Sequence, residues 1–313
     1  TTTTPKALVN VAGKPMLGHI LDDLENVGIT DIVLIIGFLK EQIISYIEDE
    51  YAHLKVEFIV QKEMNGLGHA VLMAKEVMGK DETLIILGDT IYNVDYKKFI
   101  SSKHSNLGLR RVDDPRRFGV AELDATNKHI IKLIEKPDKP KSNLAIVGLY
   151  YIKNTIKLMS CLQELVDLNL KTKNEYQLTD GLQRYLDSGE KMDAFEIEDW
   201  WDCGQADTLL ETNRKLLDIK KYDNTVMMKN SLIIEPCAIH PTARIENSIV
   251  GPHVSVGKDT KIAHSVIKNT IIAEDCRIDG KFLDESIIGS NSKLAGSARK
   301  LNIGAYSRMD IEY

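Results

Sequence analysis

Two different rhythms of apolar residues divide this chain. In the first part, Met16, Leu17, Ile20, Leu21 and Leu24 recur at helical spacing and predict a helix over residues 16–27, and Ile32-Val33-Leu34-Ile35-Ile36 follows as a strand. The same reading predicts a helix over 38–47, a strand over 56–60, a helix over 69–78 and a strand over 83–87. Alternation of this kind predicts an α/β, Rossmann-like, doubly wound parallel sheet. Strand patterns then crowd together at 107–112, 119–123, 130–134 and 146–152, which predicts an antiparallel extension able to wall a pocket. Helical patterns return over 155–168, 178–187 and 206–217.

From about Tyr222 the rhythm changes. Ile233, Ile239 and Ile245 are spaced six apart, as are Val250, Val256 and Ile262, then Ile272 and Ile278, then Ile288 and Leu294. Small or apolar Cys237, Ala243, Val254 and Cys276 sit two positions before several of these. A six-residue period fits neither a helix nor an alternating strand; it is the signature of hexapeptide repeats that stack into a parallel β-helix. The chain therefore divides into a domain over 1–221 and a repeat domain over 222–313. A stacked coil cannot bury its own end faces, so the tail is expected to serve structure and homo-oligomerisation. His240, His253 and His264 are expected to be solvated polar positions rather than bases for acyl transfer.

Composition narrows the class. The 313 residues carry a net charge of -6. No block of five or six like charges occurs, which argues against nucleic acid and against anionic membrane surfaces. No apolar stretch is long enough to cross a bilayer. Cys161, Cys203, Cys237 and Cys276 show no metal-ligand spacing and read as reduced, mostly buried thiols of a cytoplasmic protein.

Two carboxylates stand out chemically. Leu84-Ile85-Ile86-Leu87 runs into Gly88-Asp89-Thr90, placing Asp89 at the carboxyl end of a strand, where ligands of such sheets collect. Gly88 leaves room for a ligand to approach the backbone, and an aspartate oxygen is the hard donor that magnesium carrying a polyphosphate prefers. Asp202 lies in Trp201-Asp202-Cys203-Gly204. On local sequence alone Gly88-Asp89 also fits an ordinary turn, and Asp202 also fits a cap for the 206–217 helix.

Further stretches accompany these: Thr4-Pro5-Lys6-Ala7-Leu8, Val11-Ala12-Gly13-Lys14-Pro15, and Gln61 ahead of Gly66-Leu67-Gly68-His69-Ala70. Then come Asp114-Pro115-Arg116-Arg117-Phe118-Gly119-Val120, Glu135-Lys136-Pro137 and Glu175-Tyr176-Gln177-Leu178-Thr179-Asp180. In this order they resemble the sugar-1-phosphate nucleotidyltransferases over about residues 1 to 217, particularly the glucose-1-phosphate thymidylyltransferases and uridylyltransferases. The tail resembles the left-handed β-helix appended to some of them.

The resemblance implies transfer of a nucleoside monophosphate from dTTP or UTP to a sugar-1-phosphate, glucose-1-phosphate first, with release of pyrophosphate. It implies that Asp89 and Asp202 hold Mg, that Lys6 contacts the nucleotide phosphates and that Lys136 binds the sugar phosphate. Gln61, Gly66 and Gly88 would complete the nucleotide site; Gly119, Glu135, Gly148, Tyr150 and Glu175 would form the sugar pocket. Pro137 is expected to bias Lys136 towards an extended backbone. His69 reads as structural, and Asn174 stands where relatives usually have Gly. The family's glycine-rich phosphate loop would lie on about twenty residues upstream of Thr1. Alternatives are a mannose-1-phosphate guanylyltransferase, a non-catalytic regulatory subunit of the same fold, and a bifunctional enzyme whose tail transfers an acetyl group.

Overall fold

The computed structural model describes residues 3–203, 206–296, 302–304 and 308–309. They fall into two compact units, one of residues 21–200 and one of residues 1–20 with 201–313. The helix Met16–Asn26 runs through the point of division.

In the first unit, strands Asp31–Ile36 and Lys55–Val60 pair in parallel, from Asp31 opposite Lys55 to Ile36 opposite Val60. The helix that joins them is Lys40–Glu50, starting two residues later than its apolar spacing predicts. Leu39 stands ahead of it with φ of 53°, in the left-handed region, so the right-handed turn begins only after it. The next helix, Leu67–Met73, starts earlier and ends sooner than expected. Gly66 opens it at φ of 100°, and beyond Met73 the chain continues in turns, with the Val77 N–H reaching back to the Ala74 carbonyl.

A six-stranded sheet forms the body of this unit, ordered Met192–Glu196, Ser105–Arg111, Leu144–Ile152, Gly119–Leu123, Ile130–Glu135, with Thr83–Ile86 also on Leu144–Ile152. Leu144–Ile152 is buried at every position because neighbours cover both its edges. Ser105–Arg111 lies along one edge; Gly119–Leu123 takes the first residues of the other edge and Thr83–Ile86 the last four. The antiparallel extension expected over 107–152 is thus present. Thr83–Ile86 departs from expectation: among the described residues its partner is antiparallel, and it is half-buried because only one edge is paired. Met192–Glu196, which the apolar pattern did not announce, joins in parallel with Ser105–Arg111. Helices Thr155–Asp167 and Leu178–Asp187 pack Leu158, Leu162, Leu165, Leu178 and Leu182 into one core with Leu107, Ile146 and Tyr150.

The two outer strands of this sheet meet. His129, just before Ile130–Glu135, forms an antiparallel bridge with Asp193, and the Ala194 N–H donates to the Lys128 carbonyl at 2.9 Å. The sheet therefore curls until its edges touch at one end.

In the second unit, short strands stack in three parallel ladders, consistent with a left-handed β-helix. Ile245 pairs with Ile262, Ile262 with Ile278 and Ile278 with Leu294, so a coil takes sixteen or seventeen residues and one or two of its three corners are shorter than a strict hexad. These inward residues, with Cys237, Val250, Val256, Ile267, Ile272, Leu283 and Ile288, form a continuous aliphatic core. Asn230, Asn247 and His264 occupy one corner of successive coils at φ of 49°, 45° and 48°. Asn tolerates this region well, and the three side chains hydrogen-bond along the stack at 3.3 Å. His264 is thus a solvated corner residue, as its setting in the repeat predicts.

Leu232, Ile249, Val266 and Phe282 lie in register along an outer face, 55, 40, 39 and 48% exposed. The helix Ala206–Ile219 belongs to this unit. Its buried Asn213 accepts from the Ala12 N–H at 2.8 Å and the Ser255 hydroxyl at 2.6 Å and donates to the His253 carbonyl, tying the amino-terminal segment and the coil to one helix. All four cysteines are buried thiols. Burial pushes the Cys237 and Cys276 thiols up to about 11, which keeps them protonated and unreactive.

Candidate active site

Glu135 ends the strand Ile130–Glu135, and its side chain is 8% exposed. A carboxylate this deep must be paired or hydrogen-bonded. The Thr179 hydroxyl donates to Oε2 at 2.6 Å, and the Lys136 ammonium lies 3.5 Å from Oε1. The arrangement depends on Gly119, which faces Glu135 across the strands. A Cβ there would stand 2.8 Å from Thr179 Oγ1, 2.9 Å from Ile146 Cδ1 and 3.1 Å from Glu135 Oε2. Tyr150 is buried nearby; burial first, and the Glu135 charge second, hold its hydroxyl well above the usual tyrosine range.

Lys136 departs from the extended backbone expected before Pro137: its φ is 44°. A following proline disfavours the right-handed helical region. The chain leaves that region in the other direction because the Lys136 N–H is held by the Phe118 carbonyl at 3.0 Å. A left-handed non-glycine residue costs about 1–2 kcal/mol, and such strain gathers where a side chain has to be aimed. The Lys136 side chain is 41% exposed, so its ammonium is paired at one side and open to a ligand at the other.

Gly88 is exposed and Asp89 half-buried in the turn that follows Thr83–Ile86. The turn is anchored from Leu87, whose N–H donates to the Gly148 carbonyl at 3.0 Å. Gly148 sits where the pairing of Leu144–Ile152 with Ser105–Arg111 shifts register. Its φ is 88°, and a Cβ would fall 2.5 Å from Leu87 Cδ1 and 3.0 Å from the Tyr92 oxygen. Tyr92 in turn donates to the Val147 carbonyl at 2.7 Å. Burial raises the pKa of its hydroxyl strongly, and Tyr150 and Asp89 add to the shift.

A second group forms around the start of Leu67–Met73. A Cβ on Gly66 would meet the Tyr176 carbonyl at 2.6 Å and Glu175 Cβ at 2.8 Å, and the Gly68 N–H donates to that same carbonyl at 2.8 Å. Gln61 Nε2 lies 3.5 Å from both the Gly66 carbonyl and His69 Nδ1, while His69 stacks on Tyr176. His69 is structural here. Exposed Glu175 accepts from the Gln177 amide at 3.2 Å. Asn174 adopts φ of 68°, a conformation that asparagine shares with glycine and that accounts for Asn at this position. The two groups meet at the amino-terminal turn of Leu178–Asp187, where Gln177 serves one and Thr179 the other.

Sequence reasoning did not single out Thr179 as a site residue; its only signal was membership of the Glu175–Asp180 stretch. Gln61, Gly66, Gly88, Asp89, Gly119, Glu135, Lys136, Gly148, Tyr150 and Glu175 all belong to the unit of residues 21–200. Lys6, exposed in the turn Lys6–Leu8, belongs to the other unit. So does Asp202, which ends a short strand, Asp199–Asp202, and whose side chain lies outside the described residues.

Residues 1–219 match the family model of the nucleotidyl transferases, and residues 233–304 match that of the GMPPB C-terminal domain. The chain belongs to the nucleotidyl transferase family. This nucleotidyltransferase is 33% identical to the bifunctional protein GlmU of Methanocaldococcus jannaschii over 97% of its own length and 83% of the relative's. It is 29% identical to a glucose-1-phosphate thymidylyltransferase of Streptomyces griseus, with 99% and 95% covered. Among solved structures, a Bacillus anthracis protein assigned as a glucose-1-phosphate thymidylyltransferase and crystallised with sucrose superposes with a TM-score of 0.60 at 30% identity, covering 70% of this chain and 89% of that one. The protein is accordingly a sugar-1-phosphate nucleotidyltransferase.

The family generally uses a divalent metal. The donors of this nucleotidyltransferase fit a hard cation such as Mg²⁺ carried by substrate. Asp89 offers carboxylate oxygens at the solvent edge of the turn, and magnesium is commonly held by one or two carboxylates with phosphate oxygens and water completing its shell. Among the described residues, no helix is long and apolar enough to cross a membrane.

Proposed function

We propose that this nucleotidyltransferase joins glucose-1-phosphate to the nucleoside monophosphate of dTTP or UTP. The observation that carries this reading is the Glu135–Lys136 pair: a buried acceptor beside an ammonium open to ligand, on the sheet that also presents Gly88 and Asp89. In the reaction an oxygen of the sugar phosphate forms a bond to the α-phosphorus, the α–β bridging bond breaks, and pyrophosphate leaves with its electron pair. The protein's work is positioning and charge compensation.

On this reading Lys136 holds the sugar's phosphate as a point charge, and Glu135, held in place by the Thr179 hydroxyl and the Lys136 ammonium, accepts hydrogen bonds from sugar hydroxyls. Gly119, Gly148, Tyr150 and Glu175 shape the sugar's surroundings. Gln61 has the donor and acceptor needed to read the amide edge of a pyrimidine, and Gly66 lets the backbone approach the base. Gly88 and Lys6 serve the triphosphate. Asp89 and Asp202 would hold the divalent cation, Mg²⁺, which supplies charge neutralisation on the phosphates when bound. Catalysis belongs to residues 1–221, and residues 222–313 associate copies of the chain. Buried cysteines kept as thiols support a reducing, cytoplasmic compartment.

A pyrophosphate-release screen tests the assignment by crossing ATP, GTP, UTP and dTTP with several sugar-1-phosphates. Fastest turnover with dTTP or UTP and glucose-1-phosphate supports it. Preference for GTP with mannose-1-phosphate makes the protein a guanylyltransferase, and no release with any pair leaves a regulatory subunit.

A further inference from the structure

Away from the Glu135 pocket, the point where the curled sheet's edges meet brings together three groups that none of the catalytic chemistry uses. His104 precedes Ser105–Arg111, His129 precedes Ile130–Glu135, and Asp193 lies in Met192–Glu196. His129 Nδ1 is 2.7 Å and His104 Nδ1 3.2 Å from the same oxygen, Asp193 Oδ1. A carboxylate only accepts, so in the metal-free protein each ring carries its hydrogen on Nδ1 and donates it. The rings stand edge to face with centroids 5.7 Å apart, and one ligand atom from each of the three residues lies within 4.8 Å of the others.

We propose that His104, His129 and Asp193 form a binding site for a transition-metal dication, zinc above all. Two imidazoles and one carboxylate are the donor set that suits zinc, and a hard cation such as magnesium is disfavoured by the nitrogens. Zinc bonds of about 2.0–2.1 Å in a tetrahedral arrangement separate neighbouring donors by roughly 3.3 Å. The His104 contact already has that length, and the His129 contact has to open by roughly half an ångström. Zinc takes the place of the hydrogen at each Nδ1, and each neutral ring then carries its single hydrogen on Nε2. The fourth position faces water, since the three side chains are 26, 43 and 27% exposed.

The surroundings hold these ligands in place. The Ser102 hydroxyl donates to the other oxygen of Asp193 at 2.9 Å, orienting the carboxylate as outer partners of metal ligands do. Asp124 accepts from the backbone N–H groups of Thr126 and Lys128 at 3.1 and 3.2 Å and fixes the turn that presents His129. The bound ion would staple the first and last strands of the sheet, a structural role at the end of Ile130–Glu135 opposite Glu135.

The test uses untagged protein stripped with a chelator, dialysed and titrated with zinc chloride alone in a calorimeter, with cobalt(II) replacing zinc for visible spectroscopy. The expected result is one equivalent bound, a rise in melting temperature with zinc and none with magnesium, and a cobalt spectrum with nitrogen ligands. His129→Ala and Asp193→Asn should weaken binding by at least about a hundredfold, and Ser102→Ala by about 10–100-fold. Circular dichroism of each variant establishes that it is folded. If a variant is unfolded, the wild-type cobalt spectrum decides alone. Failure of the stripped wild-type protein to take up an equivalent of zinc, a cobalt spectrum without nitrogen ligands, or undiminished binding by the folded variants overturns the proposal.

Discussion

Replacing Gly148 by alanine separates two physical effects that the sheet combines at one residue. Gly148 has φ of 88° and Gly28 has φ of 83°, so Gly→Ala imposes similar left-handed strain at both, about 1–2 kcal/mol. Around Gly28 a new Cβ meets nothing within 4 Å, whereas at Gly148 it would stand 2.5 and 2.6 Å from the end of the Leu87 side chain and 3.0 Å from the Tyr92 oxygen. Leu87 cannot simply withdraw, because its N–H is bound to the Gly148 carbonyl and Tyr92 is bound to Val147. Overpacking of a filled interior adds about 1–3 kcal/mol. Gly148→Ala should therefore lose roughly 2–5 kcal/mol against about 1–2 for Gly28→Ala, measured by urea unfolding of the two variants side by side. Displacement of Leu87 also moves the Gly88–Asp89 turn, so turnover should fall more than tenfold in Gly148→Ala and stay near wild type in Gly28→Ala. Equal destabilisation of the two variants would refute the packing argument, and full activity of Gly148→Ala would separate Leu87 from the active site.

Three further outcomes are expected. Lys136→Ala should raise KM for the sugar-1-phosphate at least tenfold with little change for the nucleotide, and equal weakening of both would place Lys136 elsewhere. Burial raises the hydroxyl pKa of seven tyrosines, Tyr46 to about 12 and Tyr51, Tyr92, Tyr96, Tyr150, Tyr151 and Tyr185 upward. Unfolded tyrosines ionise near pH 10, so this stability is fully present below pH 10 and is lost as pH rises towards 12; tyrosinate absorbance should appear together with loss of circular dichroism, and ionisation of all seven near pH 10 with the fold intact contradicts it. Ile249→Asp with Val266→Asp, in the exposed apolar row of the β-helix, should lower the mass seen by light scattering, and an unchanged assembly would remove that row as the contact between copies.

The β-helix was legible because each coil stands on its own inward residues: Ile245, Ile262, Ile278 and Leu294 announce themselves without reference to the rest of the chain. The six-residue count still overstated the coil, since the shortened corners are set by left-handed turn residues such as Asn247 and His264 rather than by apolar spacing. Strands with local apolar runs, Ile130–Glu135 and Leu144–Ile152 among them, were equally legible. Met192–Glu196 was not, because Asp193 and Glu196 interrupt its pattern and pairing with Ser105–Arg111 decides its conformation.

Around the candidate site, local motifs placed Gly88, Asp89, Glu135 and Lys136. Two features lay beyond local rules. The backbone of Lys136 is set by its bond to Phe118, which a rule about the following proline does not contain. Thr179 meets Glu135 only because Gly119, sixty residues away in sequence, leaves the space. His104, His129 and Asp193 escaped for the same reason, since they converge only when the sheet closes on itself.

The most direct test of the proposed reaction is pyrophosphate release by the complete protein and its Asp89→Asn variant, with Mg²⁺, glucose-1-phosphate and dTTP or UTP. The expected result is one pyrophosphate for each nucleotide-sugar formed, dependence on the cation, and a loss of about a hundredfold or more in the folded variant, as follows when one preorganised charge contact is removed. Release at the wild-type rate by Asp89→Asn, or none by the wild-type protein, would contradict it.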